Sequence, residues 1–126
     1  MANISIAGDT SGSVTLQAPA IAGGTVVTLP ATTGTAALTS QVIGIGQTWQ
    51  NVAASRVSGT TYTNSTGKPI VIVASIYGIN ATLTISIQGV TLGTVNGNYG
   101  GSITGVVPDG ATYVYTGSWS YLAELR

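Results

Sequence analysis

The sequence predicts an all-β fold, a small antiparallel β-sandwich or jelly roll. Its 126 residues include 18 glycines and are rich in threonine and serine but poor in strong helix formers, a composition that suits strands and turns. From Pro69 onward, short stretches of apolar or alternating residues are separated by polar turn signals. The length suits one main domain with a core, with or without an extended arm.

The strands of this head follow from the residue pattern. Residues 70–77 are apolar on both faces, with Ile70, Ile72, Ala74 and Ile76 on one and Val71, Val73 and Tyr77 on the other. Residues 83–87 alternate, which predicts one core face and one wet face. Further strands are predicted at residues 90–92, 99–107, 112–116 and 119–125. Turn signals at Gln88-Gly89, Asn96-Gly97 and Asp109-Gly110 favour short hairpins, so the strands are predicted to form a meander.

The N-terminal part of the chain differs from the head. All six tyrosines and both tryptophans lie beyond residue 45, so we predict an extended arm over residues 1–43 and a head over residues 44–126. A short, glycine-punctuated β-rich arm cannot bury its apolar positions within one chain. These positions are Val14, Leu16, Val27 and Leu29, and we expect the same positions of sister chains to cover them.

Composition excludes several classes of function. Charged residues make up only 5% of the chain, against roughly 25% in typical proteins, and three cations are too few for binding a nucleic-acid backbone. Without cysteine or histidine, the usual nucleophiles, general bases and metal ligands are missing. No apolar run approaches the roughly 20 residues of a membrane span, and residues 1–5 lack the features of a secretory signal. We therefore expect synthesis in a cytoplasm, with no cofactor, no metal and no membrane insertion.

The acidic residues do not predict an enzyme. A glycosidase needs two carboxylates flanking the scissile bond, and the chain has only Asp9, Asp109 and Glu124. Asp109 stands where a Pro-Asp-Gly turn requires it for structural reasons. No catalytic residue is predicted.

Aromatic residues are the candidates for surface recognition. Tyr99 lies in the glycine-rich stretch NGNYGGS, which resembles adaptable recognition loops. Trp119 and Tyr121 are predicted to share a strand face with Ala123 and Leu125. We favour core packing of that face, with surface recognition as the alternative, because a chain without phenylalanine must fill its core with other aromatics. Trp49 is assigned to the core or to a subunit interface.

Two segments resemble proteins of tailed bacteriophages. Residues 8–34, GDTSGSVTLQAPAIAGGTVVTLPATTG, resemble a segment that recurs in tail-fibre and related appendage proteins. Residues 44–75 are similar to the domain that follows it, with a Gly-Gln-Thr-Trp start and a TNxTGKPI turn before a long strand. The resemblance implies a virion structural protein, usually a homotrimer, whose arm winds about a threefold axis below a β-rich head. The trimer interface is then predicted to include Val14, Leu16, Val27, Leu29, Val71 and Val73.

The resemblance leaves the place on the virion open. Met1 stands shortly before the first motif, which favours a short fibre, a fibre tip or a knob decorating the capsid over a long tail fibre. Expected partners are sister chains, other capsid or tail proteins and a glycan of the host surface. The alternative from another class is a monomeric carbohydrate-binding β-sandwich module, which would not need its N-terminal arm.

Overall fold

A computed structural model describes residues 3–7, 10–17, 19–21, 23, 24, 26, 31–34, 38 and 41–126. Contacts divide the chain into two units, Met1–Thr35 and Ala36–Arg126, whereas the sequence-based boundary falls between residues 43 and 44. The regular structure of the described residues consists of β-strands and short 3-10 turns. The all-β prediction is confirmed.

The first unit contains a two-stranded antiparallel hairpin. Strand β1 (Asn3–Ala7) pairs with β2 (Ser13–Gln17). The register places Ile4 opposite Leu16 and Ile6 opposite Val14, and directly opposed residues share one face of a sheet. One face of the hairpin is therefore apolar, and all four of these side chains are more than half exposed.

The second unit is a sandwich of two four-stranded antiparallel sheets. One sheet has the order β3-β10-β5-β8 and the other β4-β9-β6-β7. This is the strand order of a jelly roll, so the sandwich prediction is confirmed. The strands are β3 (Trp49–Asn51), β4 (Thr61–Thr63), β5 (Ile70–Ile76), β6 (Thr82–Ile87), β7 (Val90–Asn96), β8 (Gly101–Val107), β9 (Thr112–Gly117) and β10 (Tyr121–Leu125).

The predicted meander is wrong. Only β6 and β7 form a hairpin among the strands after Pro69, through Gln88 and Gly89, whose positive φ values of 50° and 79° suit a tight turn. The turns at Asn96-Gly97 and Asp109-Gly110 instead carry the chain from one sheet to the other. Alternation along a strand reports which face is buried, but it does not report which strand lies alongside.

The core lies between the sheets and follows the predicted alternation. The inward side of β5 is fully buried, as are Leu83 and Ile85 of β6. Tyr113 and Tyr115 of β9 are the largest buried side chains, in keeping with the use of tyrosine in a core without phenylalanine.

One end of the sandwich, here called the proximal end, is braced by the segment that leads into β3. The Gln47 side-chain nitrogen donates to the carbonyl of Pro69 at 2.9 Å, and its oxygen accepts from the Gly44 amide. The Lys68 ammonium donates to the carbonyl of Ile45 at 2.7 Å. The chain therefore enters the sandwich at this end, where β5 begins and β10 ends.

The turn before β5 is organised by a buried asparagine. Asn64 is almost fully buried, and its amide nitrogen donates to the carbonyls of Lys68, Val107 and Pro108 at 2.7–3.1 Å. Its side-chain oxygen accepts from the Thr66 amide and hydroxyl. One side chain thus joins the β4–β5 turn to the β8–β9 turn.

Candidate functional site

An apolar row crosses the outer face of the β3-β10-β5-β8 sheet. The register aligns Leu125 with both Trp49 and Val71, and Val71 with Val106, so one apolar side chain from each strand lies in a line. Trp49 is 54% exposed and Val106 is 49% exposed, while the two central residues are partly buried by their neighbours. An apolar row across a whole sheet is typical of a surface that another protein surface covers.

The next rows of the same face become more polar toward the other end of the sheet. Ala123 and Val73 form the centre of the second row, and Tyr121, Ser75 and Ser102 form the third. None of the outward positions of this sheet carries a charged residue. The outer face, here called the apolar face, therefore has an apolar proximal half and an uncharged polar distal half.

The outer face of the other sheet has the opposite character. Its outward residues are mostly hydroxylated: Thr61, Thr63, Thr82, Thr84, Ser86, Thr91, Thr94, Thr112 and Thr116. Cross-strand hydroxyl pairs join Thr84 to Thr94 at 2.8 Å and Ser86 to Thr91 at 3.2 Å. Such a polar face can remain in contact with water and does not need another surface to cover it. The contrast between the two sheets singles out the apolar face as the candidate functional site.

The residues predicted for a trimer interface fall into three groups. Val71 and Val73 lie half-buried on the apolar face. Val14 and Leu16 belong to the exposed apolar side of the N-terminal hairpin. Val27 and Leu29 lie outside the described residues. Within the second unit, the structure thus brings together only the two valines of β5.

Sequence reasoning missed several members of these surfaces. Ile4 and Ile6 complete the apolar side of the hairpin, and Val106 and Leu125 complete the row on the sheet. The signal was present in Val106-Val107, where two successive apolar residues of a strand imply an apolar residue on each face. Trp49, which had been assigned to the core or to an interface, lies on the apolar face and outside the core.

The three aromatic residues predicted for surface recognition have different environments. Tyr99 is fully displayed in a 3-10 turn, and Tyr121 is half exposed at the start of β10. Trp119 precedes that strand, packs against the core and donates from its indole nitrogen to the carbonyl of Ala53 at 3.3 Å. Trp119 therefore does not share the outward face of Tyr121, Ala123 and Leu125.

The second notable cluster is a buried ionic network around Glu124. Its carboxylate is completely buried and accepts hydrogen bonds from Arg56 (Nε and Nη2, 2.8 and 2.7 Å), Arg126 (2.9 Å) and the hydroxyls of Tyr113 (3.0 Å) and Tyr115 (3.2 Å). Five donors occupy the roughly four lone-pair positions of a carboxylate. The Glu124 hydrogen bond raises the pKa of Arg56, which keeps the guanidinium charged. The carboxylate is thus fully engaged within the fold.

The other acids do not join this cluster. The Asp109 carboxylate accepts from the Gly67 amide at 2.9 Å in the β8–β9 turn, and Asp9 lies outside the described residues. Among the residues that the structure describes, no three acidic, histidine or cysteine side chains gather as a metal site would require. In the same part of the chain, no helix has the length and apolarity to cross a membrane.

Alkaline pH is expected to destabilise the protein through Tyr113 and Tyr115. Burial first, and then the negative charge of Glu124, raises the pKa of both phenols above the ordinary value of 10. Because the folded state favours the neutral phenols, they contribute stability that is complete below about pH 10. This contribution is lost as the pH rises through the pKa values of the folded state. The urea midpoint should therefore stay level between about pH 7 and 9 and fall at higher pH. Tyr115→Phe should make that fall shallower, and an identical slope in this variant would contradict the assignment.

Comparison of the chain with known protein families, with curated protein sequences and with solved structures finds no match.

Proposed function

We propose that the protein is a bacteriophage virion structural protein, a homotrimeric short fibre, fibre tip or capsid-decoration knob. The observation that carries the proposal is the apolar row of Trp49, Leu125, Val71 and Val106 on one sheet, set against a threonine-rich face on the other. The resemblance of residues 8–34 and 44–75 to phage appendage proteins supports the virion as the place of assembly.

The chemistry of the apolar face supports the proposed self-association. Its outward positions carry no charge, so copies of the face do not repel one another, and no charged group must be desolvated when they meet. Covering the row removes the exposed parts of a tryptophan and a valine from water, and each square ångström of apolar surface buried contributes about 25 cal/mol. In the proposed trimer, the apolar proximal halves of the three faces meet around the axis, and the distal halves with Tyr121 stay exposed.

The N-terminal hairpin supports the same assembly. An isolated two-stranded hairpin is marginally stable in water, and the apolar side of this one is more than half exposed. Sister hairpins would cover Val14 and Leu16 together with Ile4 and Ile6. In this proposal the arms intertwine, and the heads add a second contact through Val71 and Val73.

The proposed role is structural and non-enzymatic. The engagement of the Glu124 carboxylate by five donors supports this part of the proposal. The proposed site of action is the virion, after synthesis in the host cytoplasm, with capsid or tail proteins as neighbours. Detection of the chain by mass spectrometry in purified phage particles tests this location, and its absence from them would contradict it.

The oligomeric state is tested by light scattering of the full chain at low micromolar concentration, where a mass three times that of the chain is expected. Val106→Glu should weaken assembly at least about 100-fold, because it places a charge in the apolar face of every copy. Thr63→Glu, on an edge strand of the threonine-rich sheet, is the matched control and should leave the trimer intact.

A monomeric mass for the unaltered protein would overturn the assembly proposal. It would favour the second candidate, a monomeric carbohydrate-binding module, which the exposure of Tyr99 and Tyr121 supports. If Val106→Glu and Thr63→Glu dissociated the trimer equally, the apolar face would not be the trimer interface. A general effect of added charge would then explain both results.

A further inference from the structure

We propose that Tyr121, Tyr77 and Tyr99 form a binding site for a neutral saccharide chain at the distal end of the sandwich, opposite the proximal end. The inference deepens the proposed function. Only the source of the saccharide, the host surface, rests on that proposed function. The distal end consists of residues 77–81, 96–101 and 117–121.

The three tyrosines follow the order of the strands across the edge of one sheet. Tyr121 begins β10, Tyr77 follows the end of β5, and Tyr99 precedes β8, while β5 lies between β10 and β8. Tyr121 pairs with Ser75, which makes it a diagonal neighbour of Tyr77. Gly100 lies against the ring of Tyr77, since a Cβ placed on it would stand 3.5 Å from Cδ2 of that ring. Neighbouring strands are about 4.8 Å apart, so the residues form a row.

Exposure distinguishes this row from core aromatics. Tyr121 is 47% exposed, Tyr77 is 79% exposed and Tyr99 is 94% exposed. The other tyrosines of the chain are engaged, since Tyr113 and Tyr115 are buried and the Tyr62 hydroxyl accepts from the Val57 amide. Leaving aromatic rings in water forgoes the large stabilisation that their burial gives.

The loops that present the row are held in place. The hydroxyl of Ser120 accepts from the Tyr77 amide at 3.0 Å and donates to the Tyr77 carbonyl at 3.3 Å. The Asn80 amide donates to the side-chain oxygen of Asn98 at 2.8 Å, and the Gly97 amide donates to the carbonyl of Ala81. Gly97 leaves no room for a side chain, because its Cβ would lie 2.6 Å from the carbonyl oxygen of Gly78. Loops already ordered lose little conformational freedom on binding.

The chemistry of the distal end fits a neutral saccharide. Residues 77–81, 96–101 and 117–121 contain no acidic or basic residue, so the site offers no opposite charge to a phosphate, a uronate or an ammonium group. Tyrosine rings can stack on the C–H faces of sugar rings, while the exposed carboxamides of Asn80 and Asn98 exchange hydrogen bonds with sugar hydroxyls. Three tyrosines that follow one another along one edge of the sheet suit a chain of several sugar units.

The test is binding of the purified full chain to an array of neutral oligosaccharides of glucose, galactose, mannose, rhamnose and N-acetylglucosamine, with acidic oligosaccharides alongside. We expect binding to at least one neutral chain, which Tyr99→Ala and Tyr77→Ala each weaken at least about tenfold. Tyr99→Phe, which keeps the ring, should retain most of the binding. Val90→Ala, at an exposed residue near the proximal end, should leave it unchanged.

Several results would overturn the inference. These are no binding to any neutral chain, equal binding by Tyr99→Ala and the unaltered protein, or a preference for acidic chains. Tyrosine-dependent capture of a virion protein without saccharide binding would assign the row to a protein contact and would overturn it too. The solution mass of each variant is measured on the same samples. A variant that loses saccharide binding but keeps the solution mass of the unaltered protein reports on this site alone. A monomeric mass reports on the assembly proposal instead.

Discussion

Glu124→Gln is expected to lower the free energy of unfolding by about 3–5 kcal/mol, because it leaves buried positive charge without its partner. The Arg56 side chain is only 11% exposed and lies 2.7 Å from the Glu124 carboxylate, with Arg126 on the same oxygen at 2.9 Å. Glutamine has nearly the same volume, so the change tests charge and hydrogen bonding more than packing. Urea unfolding at a fixed protein concentration gives the measurement.

Asp109→Asn is the matched control for loss of one negative charge. Asp109 is exposed, and asparagine keeps the oxygen that accepts from the Gly67 amide, so a change within about 0.5 kcal/mol is expected. If Glu124→Gln lowered the free energy of unfolding by less than about 1 kcal/mol, the network around Glu124 would not be an important source of stability. Combining Glu124→Gln with Arg56→Met should cost less than the sum of the single changes, since the double variant removes the uncompensated charge of Arg56.

This network shows where prediction from the sequence reached its limit. The alternation that places Tyr121, Ala123 and Leu125 on one face of β10 already puts Glu124 on the other. What the pattern could not show is that this other face is the core, or that Arg56, 68 positions away in sequence, lies against it. Burial of a glutamate requires partners from distant segments, and a single sequence carries no signal for that pairing.

The fold was predictable where strands are long and apolar. The pattern of Ile70 to Ile76 identified the strand and its two apolar faces without distinguishing the buried one, and the spacing of the later strands identified a sandwich. The strands Trp49–Asn51 and Thr61–Thr63 were missed, because three residues are too few for an alternating pattern to be recognised. The pairing of strands was missed for a different reason, since turn residues favour a tight turn without specifying the sheet that the next strand joins.

The Gly-Gln-Thr-Trp and TNxTGKPI motifs have a structural role in this chain. Gln47 of the Gly-Gln-Thr-Trp start donates to the carbonyl of Pro69, and Lys68 of the TNxTGKPI turn donates to the carbonyl of Ile45. The two motifs therefore bind each other and close the proximal end of the sandwich. Their residues specify how the chain enters the head. The tyrosines at the distal end lie outside both motifs, so the contacts of the motifs concern the fold and not a ligand.

Asn64→Ala is expected to lower the free energy of unfolding by about 2–4 kcal/mol, because a buried side chain that makes several hydrogen bonds is removed. The carbonyls of Val107 and Pro108 belong to the β8–β9 turn, and the carbonyl of Lys68 belongs to the turn before β5. The backbone of Asn64 also pairs with the second turn, since its amide donates to Ala111 and its carbonyl accepts from Gly110. The carbonyls of Pro108 and Lys68 each keep one donor within their own turn, the Ala111 amide and the Thr66 hydroxyl, so the alanine variant loses the side-chain bonds that join the two turns.

Ser65→Ala provides the control within the same turn, because Ser65 is exposed and its replacement should change the stability by less than about 0.5 kcal/mol. Asn64→Asp separates hydrogen bonding from packing. Aspartate has the shape of asparagine, but its carboxylate cannot donate and would face the three carbonyl oxygens that the amide nitrogen now contacts. The aspartate variant should therefore be at least as unstable as the alanine variant. If Asn64→Asp were close to the unaltered protein in a urea titration, shape alone would hold the two turns together.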